Sequence, residues 1–334
     1  MEMYAALQPL LMRLDPERAH ALTLDLLRIA NRLHLLSPPR TPGRAVQRMG
    51  LEFANRVGLA AGFDKNGVCI DALGQLGFGF IEVGTITPRP QPGNPRPRVF
   101  RLRESCAVIN RMGFPNEGLD ALVARLARRQ FRGICGINIG KNAATPLDEA
   151  GADYAACLQA VYAQADYVTL NISSPNTARL RELQQQTRLA PLLESLLELR
   201  GRLAREHGRH VPLLVKVSPD MTEEGLVATA RVIGSLAIEG VVATNTTIRR
   251  PGLERHRVAG EQGGLSGVPL LDLALGTVRR LRAELGDRAV IIGVGGIDSV
   301  SAAQAMLAAG ADLIQLYTGL VYRGPRLIRE LVRI

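Results

Sequence analysis

The sequence predicts a (β/α)8 barrel preceded by a small α-helical extension, and three observations predict it. From Val57 onward, short apolar segments rich in Gly or β-branched residues alternate with segments of helical period; the strand-like segments number eight; and polar side chains cluster directly after them. A doubly wound sheet is the alternative that the same alternation allows.

In chain order, residues 1–36 differ from everything after them. Tyr4, Leu7, Leu10, Leu11 and Leu14 recur at helical spacing, Asp15-Pro16 starts a second helix, and Leu22, Leu24, Leu26, Leu27, Ile29 and Leu33 continue it, with Arg13, Arg18, Arg28 and Arg32 on the polar side. Such a pair either packs as a hairpin on the main domain or dips its apolar face into a membrane interface, with Arg near anionic headgroups. Ser37-Pro38-Pro39-Arg40-Thr41-Pro42-Gly43 breaks the pattern as a linker, so residues 37–56 are expected to hold the linker and barrel-bottom strands before a barrel over 57–334. The eight strands fall at 57–61, 80–84, 134–139, 167–170, 213–217, 240–243, 290–294 and 313–316. Helices are expected at 67–76, 117–130, 152–164, 189–206, 222–235, 270–285, 300–309 and 323–332. Two connections, 87–114 and 176–188, are longer than ordinary ones and read as lids or binding loops.

Composition narrows the function. With 334 residues, 46% of them hydrophobic and 22% charged, the chain is globular and can bury a large core. Its net charge of +10 is carried mostly by Arg, which suits a solvated surface, anionic lipid or an anionic substrate. Trp is absent and no basic tract interleaves with aromatics, which argues against nucleic acid. Cys69, Cys106, Cys135 and Cys157 form no C-x-x-C pair and have no His at ligand spacing, so they read as reduced thiols and no metal is expected. The start lacks a signal peptide's pattern and no apolar run is long enough to span a bilayer, so a cytoplasmic protein or one on a membrane face is expected.

The chemistry sits at the strand ends. Asn171-Ile172-Ser173-Ser174-Pro175-Asn176 puts four hydrogen-bonding side chains in six residues after a strand; turn formation alone also explains it. Elsewhere the same rim carries Ala61-Gly62-Phe63-Asp64-Lys65, Thr85, Asn138, Lys216, Thr244-Asn245-Thr246, Gly293-Val294-Gly295-Gly296 and Tyr317-Thr318-Gly319. With no His and one carboxylate, Asp64, in this set, a His-based triad or a paired-carboxylate hydrolase is not supported. The Gly-rich segments after the last two strands fall where barrels bind phosphate through backbone N–H groups, and Gly263-Gly264-Leu265-Ser266-Gly267 reads as another Gly-rich loop on that rim. Of Lys65 and Lys216, one suits a substrate carboxylate and the other a developing negative charge; a flavin fits the second role.

Taken together, Gly58–Asn66, Gly84–Asn94, Asn110–Phe114, Asn171–Thr177, Gly263–Gly267 and Gly293–Ser299 resemble the quinone-dependent, class 2 dihydroorotate dehydrogenases over nearly the whole chain. The resemblance implies FMN as cofactor, dihydroorotate and orotate as substrate and product in pyrimidine synthesis, ubiquinone or menaquinone as acceptor, a monomer, and peripheral attachment to the cytoplasmic face of an anionic inner membrane. Ser174 then matches the catalytic base, where the soluble class carries Cys. Lys65, Asn110, Arg111, Met112, Gly113, Phe114, Asn171, Asn176, Asn245 and Thr246 match the substrate pocket. Ala61, Gly62, Phe63, Asp64, Lys65, Thr85, Asn138, Asn171, Lys216, Thr244, Gly267, Gly296, Tyr317 and Thr318 match the FMN site. Thr177 is a candidate proton-relay partner, and Leu7, Leu10, Leu22 and Leu26 are candidates to line a quinone tunnel. One departure is visible: Ala178-Arg179 stands where the family pattern has Pro-Gly. Rival readings are a soluble enzyme using fumarate or NAD, a flavin-free phosphate-binding isomerase or lyase, and a non-catalytic membrane-surface module.

Overall fold

The computed structural model describes residues 2–36 and 43–334; most of the expected linker lies outside them. Helix α1 (Glu2–Leu11) and helix α2 (Pro16–Arg32) come first. Asp15 caps α2 by accepting the N–H groups of Glu17 and Arg18, and Pro16 at the first helical position gives up a donor that the helix could not use. A hairpin of β1 (Val46–Arg48) and β2 (Leu51–Phe53) follows.

The barrel strands are β3 (Val57–Leu59), β4 (Phe80–Ile86), β7 (Ile134–Ile139), β8 (Tyr167–Asn171), β9 (Leu213–Val217), β10 (Gly240–Ala243), β12 (Val290–Val294) and β13 (Leu313–Leu316). They pair in parallel in that order, and β13 closes back onto β3. Each is buried on both faces, which is why it reads in the sequence as an apolar run without alternation. The barrel helices are α3 (Ile70–Gly74), α4 (Leu119–Leu126), α5 (Ala150–Val161), α6 (Gln186–His207), α7 (Glu223–Ser235), α8 (Leu271–Leu285), α9 (Val300–Ala308), α10 (Thr318–Arg323) and α11 (Pro325–Leu331).

Two expectations are corrected here. The single helix expected over 323–332 begins instead at Thr318 and is broken at Gly324, whose φ of +64° ends α10 before Pro325 starts α11. A side chain at Gly324 would meet the Tyr4 ring, so the break also lets α1 dock. The Gly263–Gly267 segment is a strand, not a loop. As β11 (Gly264–Gly267) it pairs antiparallel with β6 (Ala107–Asn110), which pairs in turn with β5 (Val99–Leu102). This three-stranded sheet accounts for the β-like pieces of the long 87–114 connection.

Inside the barrel, Phe80 and Tyr167 lie opposite glycines of neighbouring strands: Gly58 pairs with Phe80 and Gly136 with Tyr167. Phe53 of the hairpin stacks edge-on against Phe80 at 5.2 Å and closes the bottom. The glycines make room for the rings: a Cβ at Gly136 would lie 2.1 Å from the Tyr167 ring, and one at Gly58 2.3 Å from Phe80. Gly136→Ala is therefore expected to lower stability by about 1–3 kcal/mol through overpacking. An unchanged denaturant midpoint would show that the Tyr167 ring is not confined there.

Candidate functional site

A carboxylate buried in the barrel anchors the site. Glu82 of β4 is fully buried and accepts from Asn138 Nδ2 at 2.8 Å, Tyr167 OH at 3.0 Å and Gln315 Nε2 at 2.8 Å. With its Nδ2 committed to Glu82, Asn138 turns its Oδ1 outward, where it accepts from Thr85 Oγ1 at 2.5 Å and Asn171 Nδ2 at 3.1 Å. Asn171 Nδ2 also reaches Thr85 Oγ1 at 2.8 Å. Asn171 Oδ1 then accepts from Asn245 Nδ2 at 3.2 Å, and Asn245 Nδ2 also donates to Ser173 Oγ at 3.0 Å. Strand ends of β4, β7, β8 and β10 are thus joined by one directional hydrogen-bond chain.

Above this chain lies a cavity at the C-terminal end of the barrel. Ser174 is buried on its wall, and its Oγ accepts the Asn176 N–H at 3.2 Å. Asn176 Nδ2 donates to Asn110 Oδ1 at 3.2 Å, which brings the β6 end and the loop after β8 together. Arg181 fastens that loop: it donates to the Ser173 carbonyl at 3.1 Å and the Thr246 carbonyl at 3.0 Å, and pairs with Asp220 at 2.9 Å. Arg179 adopts a φ of +58° and pairs with Glu182 at 2.7 Å. A left-handed Arg costs about 1–2 kcal/mol relative to the usual conformation.

Two lysines face the cavity. Lys65 donates to the Gly62 carbonyl at 2.6 Å, and burial brings its pKa down to about 8 against the opposing pull of the Glu17 and Asp64 charges. Lys216 is also lowered by burial, and the Glu82 charge works against that. Gln315, at the end of β13, donates to Glu82 but leaves its buried Oε1 without a partner among the described residues. Gly295 and Gly296, with φ of +136° and +75°, Gly267 with φ of +100°, and Thr318 line the same floor.

The cavity continues to the N-terminal helices, where Ala19, His20, Thr23 and Leu27 of α2 line it. His20 is neutral over the physiological range, since burial and then the Lys65 charge push its pKa down to about 4. Its ring packs edge-on to Phe63 at 5.0 Å, and Phe63 to Tyr317 at 5.8 Å. Glu17 of α2 pairs with the buried Arg98 at 2.6 Å. Arg98 holds the Pro92 and Asn94 carbonyls, and Asn94 Nδ2 reaches the Asn176 carbonyl at 3.1 Å. The helical pair is thereby linked to the loop that carries Ser174.

Of the residues matched from the sequence to the catalytic, substrate and FMN sites, all line this cavity except Asp64, Asn138 and Arg111, and the relay candidate Thr177 does not line it either. The Asp64 carboxylate is turned into backbone, accepting the N–H groups of Val68 and Cys69 ahead of α3. Asn138 stands behind the wall. Arg111 points away, pairing with Glu261 at 2.6 Å and lying over the Phe100 ring. Leu7, Leu10, Leu22 and Leu26 do not line the cavity, and the last three are exposed. For Leu22 and Leu26 the helix phase is the reason: they lie along the outer edge of one broad apolar face of α2, and the Ala19, Thr23 and Leu27 edge is the one turned inward. Glu82 and Gln315 were missed, although a lone polar residue within an apolar strand was a signal for each.

A family model described as dihydroorotate dehydrogenase matches residues 44–333. The dihydroorotate dehydrogenase (quinone) of Alkalilimnicola ehrlichii is 54% identical over 334 residues, covering 99% of this chain and 98% of that protein. The protein of the same name from Chromobacterium violaceum is 54% identical, covering 99% and 97%. The crystal structure of the dihydroorotate dehydrogenase from Eimeria tenella in complex with ferulenol superposes with a TM-score of 0.88 at 36% identity, covering 95% of this chain and 90% of that one.

Removing the Glu82 charge should be costly because three donors lose their acceptor. Glu82→Ala is expected to destabilise the fold by about 3–5 kcal/mol, the usual loss when one side of a buried charged network is deleted. A denaturation midpoint within experimental error of wild type would show that the network does not hold the strand ends.

Proposed function

The chain belongs to the dihydroorotate dehydrogenase family, and we propose that it oxidises (S)-dihydroorotate to orotate in pyrimidine synthesis, with FMN as resident cofactor and a membrane quinone, ubiquinone or menaquinone, as final acceptor. The observation that carries this reading is one cavity with two characters: Lys65, Ser174 and asparagine amides at one end, Ala19, Thr23 and Leu27 at the other. The cationic, amide-rich end suits an anionic ring acid; the apolar end suits a quinone.

The cavity floor fits FMN. Gln315 leaves a buried acceptor unpaired and Lys216 presents a cation, a set that complements an amide-bearing, electron-accepting ring. Glycines 295 and 296 keep the backbone bare, and a Cβ at Gly296 would lie 2.6 Å from Leu271. FMN held by Ala61, Thr85, Asn171, Lys216, Thr244, Gly267, Gly296, Tyr317 and Thr318 would supply a two-electron acceptor. Lys65 would hold the substrate carboxylate, while Asn110, Asn171, Asn176 and Asn245 offer donors and acceptors to the ring amides. Ser174 takes the C5 proton. A hydroxyl is a weak base and has to pass a proton on as it gains one; Thr177, whose buried Oγ1 has no partner among the described residues, is the neighbouring hydroxyl available for that. The 176–188 segment, fastened by Arg181, and Phe114 keep water from the reacting carbon.

Residues 1–36 are assigned to the quinone tunnel and to peripheral attachment at the cytoplasmic face of an anionic inner membrane, 37–56 to the linker and barrel bottom, and 57–334 to the FMN-binding barrel of a monomer. Among the described residues no helix is long and apolar enough to cross a membrane.

Anaerobic absorbance spectra test the reading: dihydroorotate should bleach a flavin band and a short-chain quinone restore it, while fumarate and NAD do not. Ser174→Ala should keep the band and slow bleaching on the order of 10²-fold or more, the usual worth of a positioned base; bleaching at the wild-type rate sinks the assignment. The pH dependence follows from Lys65. It is charged below its pKa of about 8 and neutral above it, so KM for dihydroorotate should hold steady at lower pH and rise above about 8. In Lys65→Met, KM should be high throughout and lose this rise.

A further inference from the structure

A second, basic cleft adjoins the cavity where the corner between α1 and α2 meets the barrel, and Met12, Pro16 and Arg101 line both. Arg13 and Leu14 line it from the corner, Arg101 and Arg103 from the end of β5 and just beyond it, and His256 and Arg257 from the long loop between β10 and β11; Glu104 is its carboxylate. Arg101 donates to the carbonyls of Leu11, Met12 at 2.9 Å and Leu14 at 3.0 Å, and Arg103 also reaches the Met12 carbonyl. These bonds fix the position of both guanidinium groups without neutralising them. Among the described residues, Arg13, Arg101, Arg103 and Arg257 have no carboxylate within the 4.0 Å of an ion pair.

The cleft borders an apolar edge. Leu14 belongs to both, and Leu10, Leu22, Leu26, Ile29 and Leu33 are exposed by 58%, 41%, 38%, 51% and 62%. Along α2 and its C-cap these residues recur at 22, 26, 29 and 33, one stripe that flanks the side lining the cavity, with Arg18, Asp25, Arg28 and Arg32 on the polar side beyond it. We propose that this cleft binds the phosphodiester headgroup of an anionic phospholipid while the adjoining leucines enter the acyl boundary. Barrel residues Arg103 and Arg257 would then share in membrane docking with the N-terminal helices. Guanidinium groups match phosphate oxygens in geometry and charge, and an apolar insertion combined with a cationic patch is the pairing that gives stable peripheral attachment. Continuity with the apolar edge is what selects a lipid headgroup over a free anion.

The proposal rests on the reading of peripheral attachment, and the test separates the two. The full chain is floated with vesicles of phosphatidylcholine alone or mixed with phosphatidylglycerol. Wild type should favour the anionic vesicles; Arg257→Gln should lose about five-fold in partition there, and Arg103→Gln with Arg257→Gln about twenty-fold, from the usual worth of a basic side chain at such a surface. Turnover with a short-chain quinone should not change, which also shows that the variants fold. Arg257 is the cleaner probe because Arg103 also braces the helix corner. If both variants bind anionic vesicles as wild type does, the headgroup site is refuted while peripheral attachment stands. Wild type that floats with neither vesicle refutes both. Displacement by millimolar inorganic phosphate, but not by chloride at matched ionic strength, would overturn the lipid assignment in favour of a free anion site.

Discussion

The Glu82 carboxylate fixes the polarity of the strand ends. It can only accept, so Asn138, Tyr167 and Gln315 must each turn a donor towards it. Each commitment passes outward. Asn138 presents its oxygen to Asn171, Asn171 its oxygen to Asn245, and the amides that border the cavity arrive with their orientation decided. A buried charge is costly unless its partners are complete. Here they are, and the same charge offsets part of the burial penalty on Lys216.

Above this polar layer, the cavity joins parts of the chain that are distant in sequence. The Glu17–Arg98 pair ties α2 to the Pro92–Asn94 segment, and Asn94 ties that segment to Asn176, two residues from Ser174. The helices that line the apolar end are therefore mechanically continuous with the loop proposed to hold substrate. The loop after β8 shows the same economy of contacts: Arg181 reaches Ser173, Asp220 and Thr246, so the strained Arg179 next to it does not leave the segment loose.

Helix α2 has one broad apolar face and two jobs. One edge, through Ala19, Thr23 and Leu27, lines the cavity; the other, through Leu22, Leu26, Ile29 and Leu33, faces out. The exposed stripe, set beside unpaired arginines, is what the headgroup proposal explains.

The sequence by itself determined the eight barrel strands, because each is buried on both faces and carries a continuous apolar signal, and it determined most of the rim, because polar residues cluster directly after those strands. It could not decide which side of α2 turns inward: helical periodicity marks apolar sides but not what meets them, and Leu22 and Leu26 carry the same signal as Ala19 and Leu27. Nor could it show that Gly264–Gly267 is a strand, since that segment's pairing depends on Ala107–Asn110, far away in the chain. Asp64, Asn138 and Arg111 sit at the right positions along the chain, yet a side chain's direction is set by its hydrogen-bond and ion-pair partners. Those partners, Val68 and Cys69, Glu82, and Glu261, are brought together only by the closed barrel and the loops packed upon it.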